Sequence, residues 1–155
     1  MHEAFMREAI ALAVENVRAG RGGPFGALVV RGDRVVARGV NLVTATNDPT
    51  AHAEVGAIRA ACQALRSFQL TGCELYSTCE PCPMCLAAIY WARLDRYYYG
   101  ATRRHAADIG FDDALIYGEL TRPPGRRTVP GQRLLADEAG AAFDEWMRSA
   151  SKVPY

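Results

Sequence analysis

Apolar positions in the first twenty residues recur at helical spacing. Phe5, Met6, Ile10, Ala13, Val14 and Val17 fall on one side, and Glu3, Arg7, Glu8, Glu15 and Arg18 fall elsewhere. That pattern predicts an amphipathic helix with its apolar stripe toward a core, stopped by Gly20 and the GRGGP that contains it. The period then changes. ALVVRGDRVVARGV reads as two β-branched runs joined through Gly32-Asp33, a hairpin. NLVTATNDP is turn-rich, and helix signals resume at Asp48, Pro49 and Thr50 and run through AHAEVGAIRAACQAL. CELYSTC predicts a short buried strand, with Pro81 ending it, and MCLAAIYWAR, apolar almost all round, predicts a buried helix. RYYYGA is a further short strand, GFDDALIYGEL a turn or two of helix, TRPPGRRTVPG a loop, and ADEAGAAFDEWMRSASK a closing helix. Strand and helix alternating after an opening hairpin predict an α/β fold, a three-layer α/β/α sandwich around a central mixed sheet. The order of the strands stays open.

Length and composition narrow the class. A chain of 155 residues, half of them apolar, suits one domain with one core. A net charge of +1 leaves no electrostatic footprint for nucleic acid or a membrane surface, so neither is expected as a partner. No apolar run is long enough to cross a bilayer, and the charges spread through the first segment argue against a signal peptide. The five cysteines are an odd number, and three crowd into CEPCPMC. In such a chain clustered cysteines point to a metal or a reactive thiol rather than to disulfides, and the expected compartment is the cytoplasm.

The candidate chemistry lies in two short stretches. His52 stands near the start of the second long helix, and Cys82 and Cys85 stand at the start of the third, three apart and so on one face. One imidazole and two thiolates suit Zn2+, and three protein ligands leave the open position of a catalytic site. Helix N-termini also favour the thiolate form. Two further residues sharpen the pattern: Glu54 makes H-A-E with His52, and Pro81 directly precedes Cys82. H-x-E followed by P-C-x-x-C is the pattern of zinc nucleobase deaminases, in which the glutamate moves protons and is not a ligand. Zinc carrying two thiolates has no net charge and is a weak Lewis acid, so its water needs such a base beside it. Cys79 is a rival ligand. A closed site of His52, Cys79, Cys82 and Cys85 would be structural and would leave Glu54 without a role.

DPTAHAEVGAIRAAC, LYSTCEPCPMCLAAIYWARL, GFDDALIY and the terminal tyrosine together resemble the bacterial guanine deaminases of the cytidine-deaminase-like superfamily. The likeness runs over most of the chain. It implies a cytidine-deaminase-like fold and a single zinc-dependent domain over residues 1–155. Residues 132–155 would form a C-terminal helix and tail that relatives exchange between the subunits of a homodimer. It implies His52, Cys82 and Cys85 as zinc ligands and Glu54 as proton shuttle. It also implies Asn41, Phe25 and Asp113 at the base, with Asp113 assisting near the leaving amine, and Tyr155 as a cap over the pocket. The reaction implied is hydrolytic deamination of guanine to xanthine and ammonia by a zinc-activated water, a step of purine catabolism or salvage with a small purine base as the partner molecule.

Taken without the resemblance, several of these residues have plainer readings. Asn41 can open a turn, Phe25 can be core, Asp113 can cap a short helix while Asp112 faces the site, and Tyr155 can be a frayed end. The tail also departs from the family in carrying Val153-Pro154 before the tyrosine. Other activities remain open: deamination of guanosine, cytosine or an aminotriazine, or of adenosine in tRNA. The last class reads PCAMC where this chain has Pro83, and it requires a basic surface. Outside enzymes, a zinc-stabilised interaction module would also use these ligands.

Overall fold

The computed structural model describes all residues, Met1 to Tyr155, and divides into two compact units, Met1–Asp113 and Ala114–Tyr155. In the first unit, α1 (His2–Arg18) leads into β1 (Gly26–Arg31) and β2 (Arg34–Val40), the hairpin expected around Gly32-Asp33. Gly32 takes φ 62°, the left-handed conformation that such a tight turn needs. A one-turn helix, α2 (Val43–Thr46), interrupts the loop expected over NLVTATNDP. Then follow α3 (Ala53–Leu65), β3 (Glu74–Cys79), α4 (Pro83–Trp91), β4 (Arg96–Ala101) and α5 (Arg103–Asp108).

The four strands form one mixed sheet in the order β2-β1-β3-β4. β1 pairs antiparallel with both β2 and β3, and β3 pairs parallel with β4. β2 and β3 therefore run the same way, so α3 and α4 are both crossovers between parallel strands. Such connections are right-handed, and both move across the sheet in one direction, so both helices belong on the same face. The packing agrees. Ala27, Val29 and Leu75 on the sheet, Ala53, Ala57, Ile58 and Ala61 on α3, and Ile89 at the end of α4 form one core cluster. Leu28, Val30 and Tyr76, the alternate residues of β1 and β3, pack with Ala9 of α1 on the opposite face. That is the three-layer sandwich, and it explains why β1 is an almost unbroken apolar run: it is covered on both sides.

Three local expectations change. The buried residues of α1 are Ala9, Ala13 and Asn16, while Ile10, Val14 and Val17 stay 43–49% exposed. The strip that contacts the sheet must be narrow, because Gly26 brings the backbone of β1 so close that a Cβ there would lie 2.4 Å from the Ala9 carbonyl oxygen. The second long helix starts at Ala53 rather than at Asp48, whose Oδ1 accepts from the Thr50 amide (2.8 Å) and hydroxyl (2.7 Å), a side-chain turn that precedes the helix. And α5 was not expected; Thr102 starts it through a capping box with His105.

The second unit contains α6 (Ala114–Leu120), a single 3-10 turn (Pro124–Arg126) and α7 (Ala136–Arg148). Its arginine-rich loop is held from inside. Arg127 Nε donates to the carbonyls of Glu119 (3.2 Å) and Arg122 (3.1 Å), and Arg122 pairs with the Glu119 carboxylate at 2.7 Å. Along α7, Phe143, Trp146 and Met147 are exposed. No helix of either unit is long and apolar enough to cross a membrane.

Candidate active site

Because β2 and β3 are parallel, the helices that follow them begin at the same edge of the sheet. His52 is the N-cap of α3 and Cys82 the N-cap of α4, each in extended backbone conformation, with Cys85 one turn further on. Pro83 occupies the first turn of α4, where a missing N–H costs nothing. His52 Nδ1 lies 3.6 Å from Cys82 Sγ and 3.5 Å from Cys85 Sγ, and the three ligand atoms all fall within 4.8 Å of one another.

Cys82 is poised as a thiolate. It is held down to about 4, mainly by its contact with Cys85, with His52 beside it adding to the effect. Cys85 is pushed up by the same contact and by burial. His52 is raised, chiefly by its hydrogen bond to Cys82. Such a donor set fits zinc: tetrahedral geometry with ordinary bond lengths separates a sulfur from a nitrogen ligand by roughly 3.6 Å. A divalent cation would also neutralise the second thiolate that burial otherwise disfavours.

Cys79 is placed differently. It is the last residue of β3, and its thiol donates to the Thr102 carbonyl at 3.6 Å. Burial pushes it up to about 11, which keeps it protonated. The cluster of possible ligands is His52, Cys82 and Cys85 without it.

Glu54, in the first turn of α3, is 6% exposed, and burial raises its proton affinity above that of an ordinary glutamate. One carboxylate oxygen, Oε1, accepts from the Ser77 hydroxyl at 3.1 Å; the other, Oε2, accepts from the Cys85 thiol at 3.4 Å. One oxygen is thus tied to β3 and the other faces the ligand cluster. Sequence reasoning passed over Ser77. The alternation of β3 was the available signal, since it puts Ser77 on the face of Leu75, toward α3.

Asn41 follows β2 and is 6% exposed. Its Oδ1 accepts from the backbone amides of Gly23 (3.2 Å) and Val43 (3.3 Å), which fixes the orientation of the side-chain amide and leaves donation to its NH2. Phe25 is half-buried and meets Phe111 edge-on, centroids 5.0 Å apart at 88°. Phe111, in GFDD, is a second residue that the motif carried without its role being read. Asp113 is half-buried while Asp112 is exposed. Burial raises the Asp113 carboxyl and the negative charge on Cys82 raises it further, while Arg103 acts in the other direction. Tyr155 belongs to the second unit, where its side chain is exposed.

Comparison with known proteins gives a consistent result. A family model described as the cytidine and deoxycytidylate deaminase zinc-binding region matches residues 1–101. Guanine deaminase of Bacillus subtilis is 50% identical over 154 residues, 99% of each chain. The X-ray structure of guanine deaminase from that organism superposes with a TM-score of 0.98, covering 100% of this chain and 99% of the other. A guanine deaminase from Nitrosomonas europaea is 31% identical with a TM-score of 0.69, over 92% of this chain and 82% of that one. Likeness to a tRNA-specific adenosine deaminase of Agrobacterium fabrum is local: 54% identity over 78 residues, about half of either chain.

Proposed function

The chain belongs to the cytidine and deoxycytidylate deaminase family, and on that premise we propose that it hydrolyses guanine to xanthine and ammonia. The observation that carries guanine over other bases is the 50% identity to a guanine deaminase along 99% of both chains. The likeness to tRNA deaminases is weaker: 54% identity confined to half of the chain for one, and 32% identity over 81% of the chain for another.

Zinc held by His52, Cys82 and Cys85 would supply a Lewis acid that makes a water molecule acidic enough to react near neutral pH. In the overall reaction that water's oxygen ends on C2 of the base, the bond from C2 to the exocyclic nitrogen breaks, and the nitrogen leaves as ammonia. Glu54 moves the protons. Its Oε2 faces the cysteine cluster, takes one proton from water and passes it to the ring nitrogen, then takes the second from the hydroxyl formed at C2 and passes it to the departing amine. Burial supports this role, because a carboxyl with raised proton affinity holds a proton between the two transfers. Ser77 keeps Oε1 fixed meanwhile.

Recognition of the base falls to the residues around this cluster. The Asn41 NH2, with its Oδ1 already engaged, can only donate, which suits a purine carbonyl or ring nitrogen. Phe25, braced by Phe111, offers an aromatic wall to the base. Asp113 accepts from the exocyclic amine and assists its departure. On this reading residues 1–155 are one deaminase domain, with 132–155 as its C-terminal helix and tail. Tyr155 closes the pocket over the base, as a capping segment that excludes water would. The exposed apolar residues of α1 and of α7 suit a homodimer in which that tail is exchanged, in the cytoplasm.

The test is ammonia release from guanine, guanosine, adenine, cytosine and tRNA by the wild type, by Glu54→Gln and by a chain ending at Pro154, with sedimentation to read the assembly state. Guanine turnover that collapses in Glu54→Gln while zinc content holds is the expected result. Release from none of the substrates would leave the interaction-module reading standing. Unchanged guanine turnover in the shortened chain would remove Tyr155 from the site, and a monomer would remove the exchange.

A further inference from the structure

Asn16 is an oddity of α1. Its position, one turn beyond Ala13 and two beyond Ala9, is the helix strip that faces the sheet, and its exposure is 0%. An apolar residue would suit that place better, because the buried Asn16 Oδ1 has no hydrogen-bond partner. The Nδ2 end is fully used. It donates to the Asn41 carbonyl at 2.8 Å and to the Gly23 carbonyl at 3.1 Å. Gly23 in turn donates its amide to Asn41 Oδ1, and the Asn41 amide donates to the Phe25 carbonyl at 3.1 Å. The approach is so close that a Cβ on Gly22 would lie 2.3 Å from the Asn41 carbonyl oxygen. One side chain thus joins the helix, the glycine loop before β1 and the residue after β2, and its two acceptors belong to the loop carrying Phe25 and to Asn41 itself.

We propose that Asn16 is a positioning residue for base recognition: by clamping the carbonyls of Gly23 and Asn41 it presents the Asn41 NH2 and the Phe25 ring to the base in one preset arrangement. It acts through Asn41 and touches no substrate. The inference rests on the guanine reading, in which Asn41 and Phe25 meet the base. Preorganisation of this kind acts on binding, since without the clamp the donor must be ordered when the base arrives.

The decisive variant is Asn16→Leu, which keeps the shape, removes both donors and also removes the unpartnered oxygen. The expected result is an unaltered fold and zinc content, a melting temperature within a few degrees of the wild type because the lost unpartnered oxygen offsets the Asn41 carbonyl left without its donor, and KM for guanine raised about tenfold with kcat changed less than about threefold. Binding of xanthine, followed by calorimetry, weakens by the same factor. In an Asn41→Ala background the substitution raises KM by clearly less than tenfold, because only the placing of Phe25 is left to lose. Should Asn16→Leu not fold, Asn16→Ala, which only deletes atoms, is read in the same way. An unchanged KM in a folded variant, or losses that add in the double variant, would overturn the inference and leave guanine turnover intact. Absence of guanine turnover in the wild type would overturn the reading beneath it as well.

Discussion

Gly39 offers a direct test of how the sheet holds the site. It lies in β2 opposite Ala27, under the first turn of α3. A Cβ built on it would come 2.0 Å from the Ala53 carbonyl oxygen and 2.6 Å from the Ala57 amide nitrogen. The first approach is roughly 1.4 Å short of ordinary contact. Both obstacles are backbone, so no side-chain rotation relieves the clash; strand or helix must move. Overpacking of this sort costs about 1–3 kcal/mol when side chains can adjust, and the rigid partners here put Gly39→Ala at about 3 kcal/mol. For a chain of this length that lowers the melting temperature by roughly 6–12 °C. The function should suffer more. Ala53 sits between His52 and Glu54, so a retreat of the helix carries both away from Cys82, Cys85 and Ser77. Misplacement by about 1 Å costs on the order of a hundredfold in rate. Thermal denaturation, zinc content after dialysis and ammonia release from guanine are the three measurements. Gly140→Ala is the control, because that glycine lies within α7 with nothing within 4 Å of the added carbon. A Gly39→Ala protein with wild-type melting temperature and turnover would refute the close backbone packing of β2 against α3.

Three further outcomes follow from the cluster and its neighbours. Ser77→Ala removes the donor on Glu54 Oε1, a hydrogen bond to a charged group worth about 1.5–3 kcal/mol, so kcat should fall about tenfold to a hundredfold with KM nearly constant. Ser77→Thr, which retains the hydroxyl, should recover most of the rate, and equal rates for the Ala variant and the wild type would show Glu54 to be held by other means. Cys82→Ala or chelation should abolish zinc retention and lower the melting temperature, since a ligand at a thousand times its Kd stabilises the folded state by about 4 kcal/mol. Cys79→Ala should keep zinc and activity; loss of zinc in that variant would restore the closed four-ligand site.

The chemistry of this protein was legible because its signals are local. Three-residue spacing puts Cys82 and Cys85 on one helix turn, and H-A-E puts the proton carrier in the same turn as the ligand, whatever the rest of the fold does. Strand alternation and turn glycines likewise mark β1, β2 and β3 from neighbours a few residues away. The face of α1 was not legible, because Ile10, Val14 and Val17 are as apolar as any core residue. What turns Ala9, Ala13 and Asn16 inward is a close approach to β1 permitted by Gly26, a contact with a partner far along the chain. The beginning of α3 was misplaced for a related reason: Asp48 and Thr50 are good cap residues, and here they bond to each other instead.

By itself, then, the sequence determined which side chains could bind a metal and which could move a proton, since those depend on residue type and short spacing. Tertiary structure decided that they meet. Thirty residues separate His52 from Cys82. They come together because two right-handed crossovers leave parallel strands at the same edge of the sheet and aim both helix N-termini at one point. The same geometry left Cys79 on its strand, gave Glu54 a hydroxyl on β3, and fixed Asn41 through a buried amide on the opposite helix layer. Local spacing cannot encode these pairings, because each is a contact between segments that only the assembled sheet brings within reach.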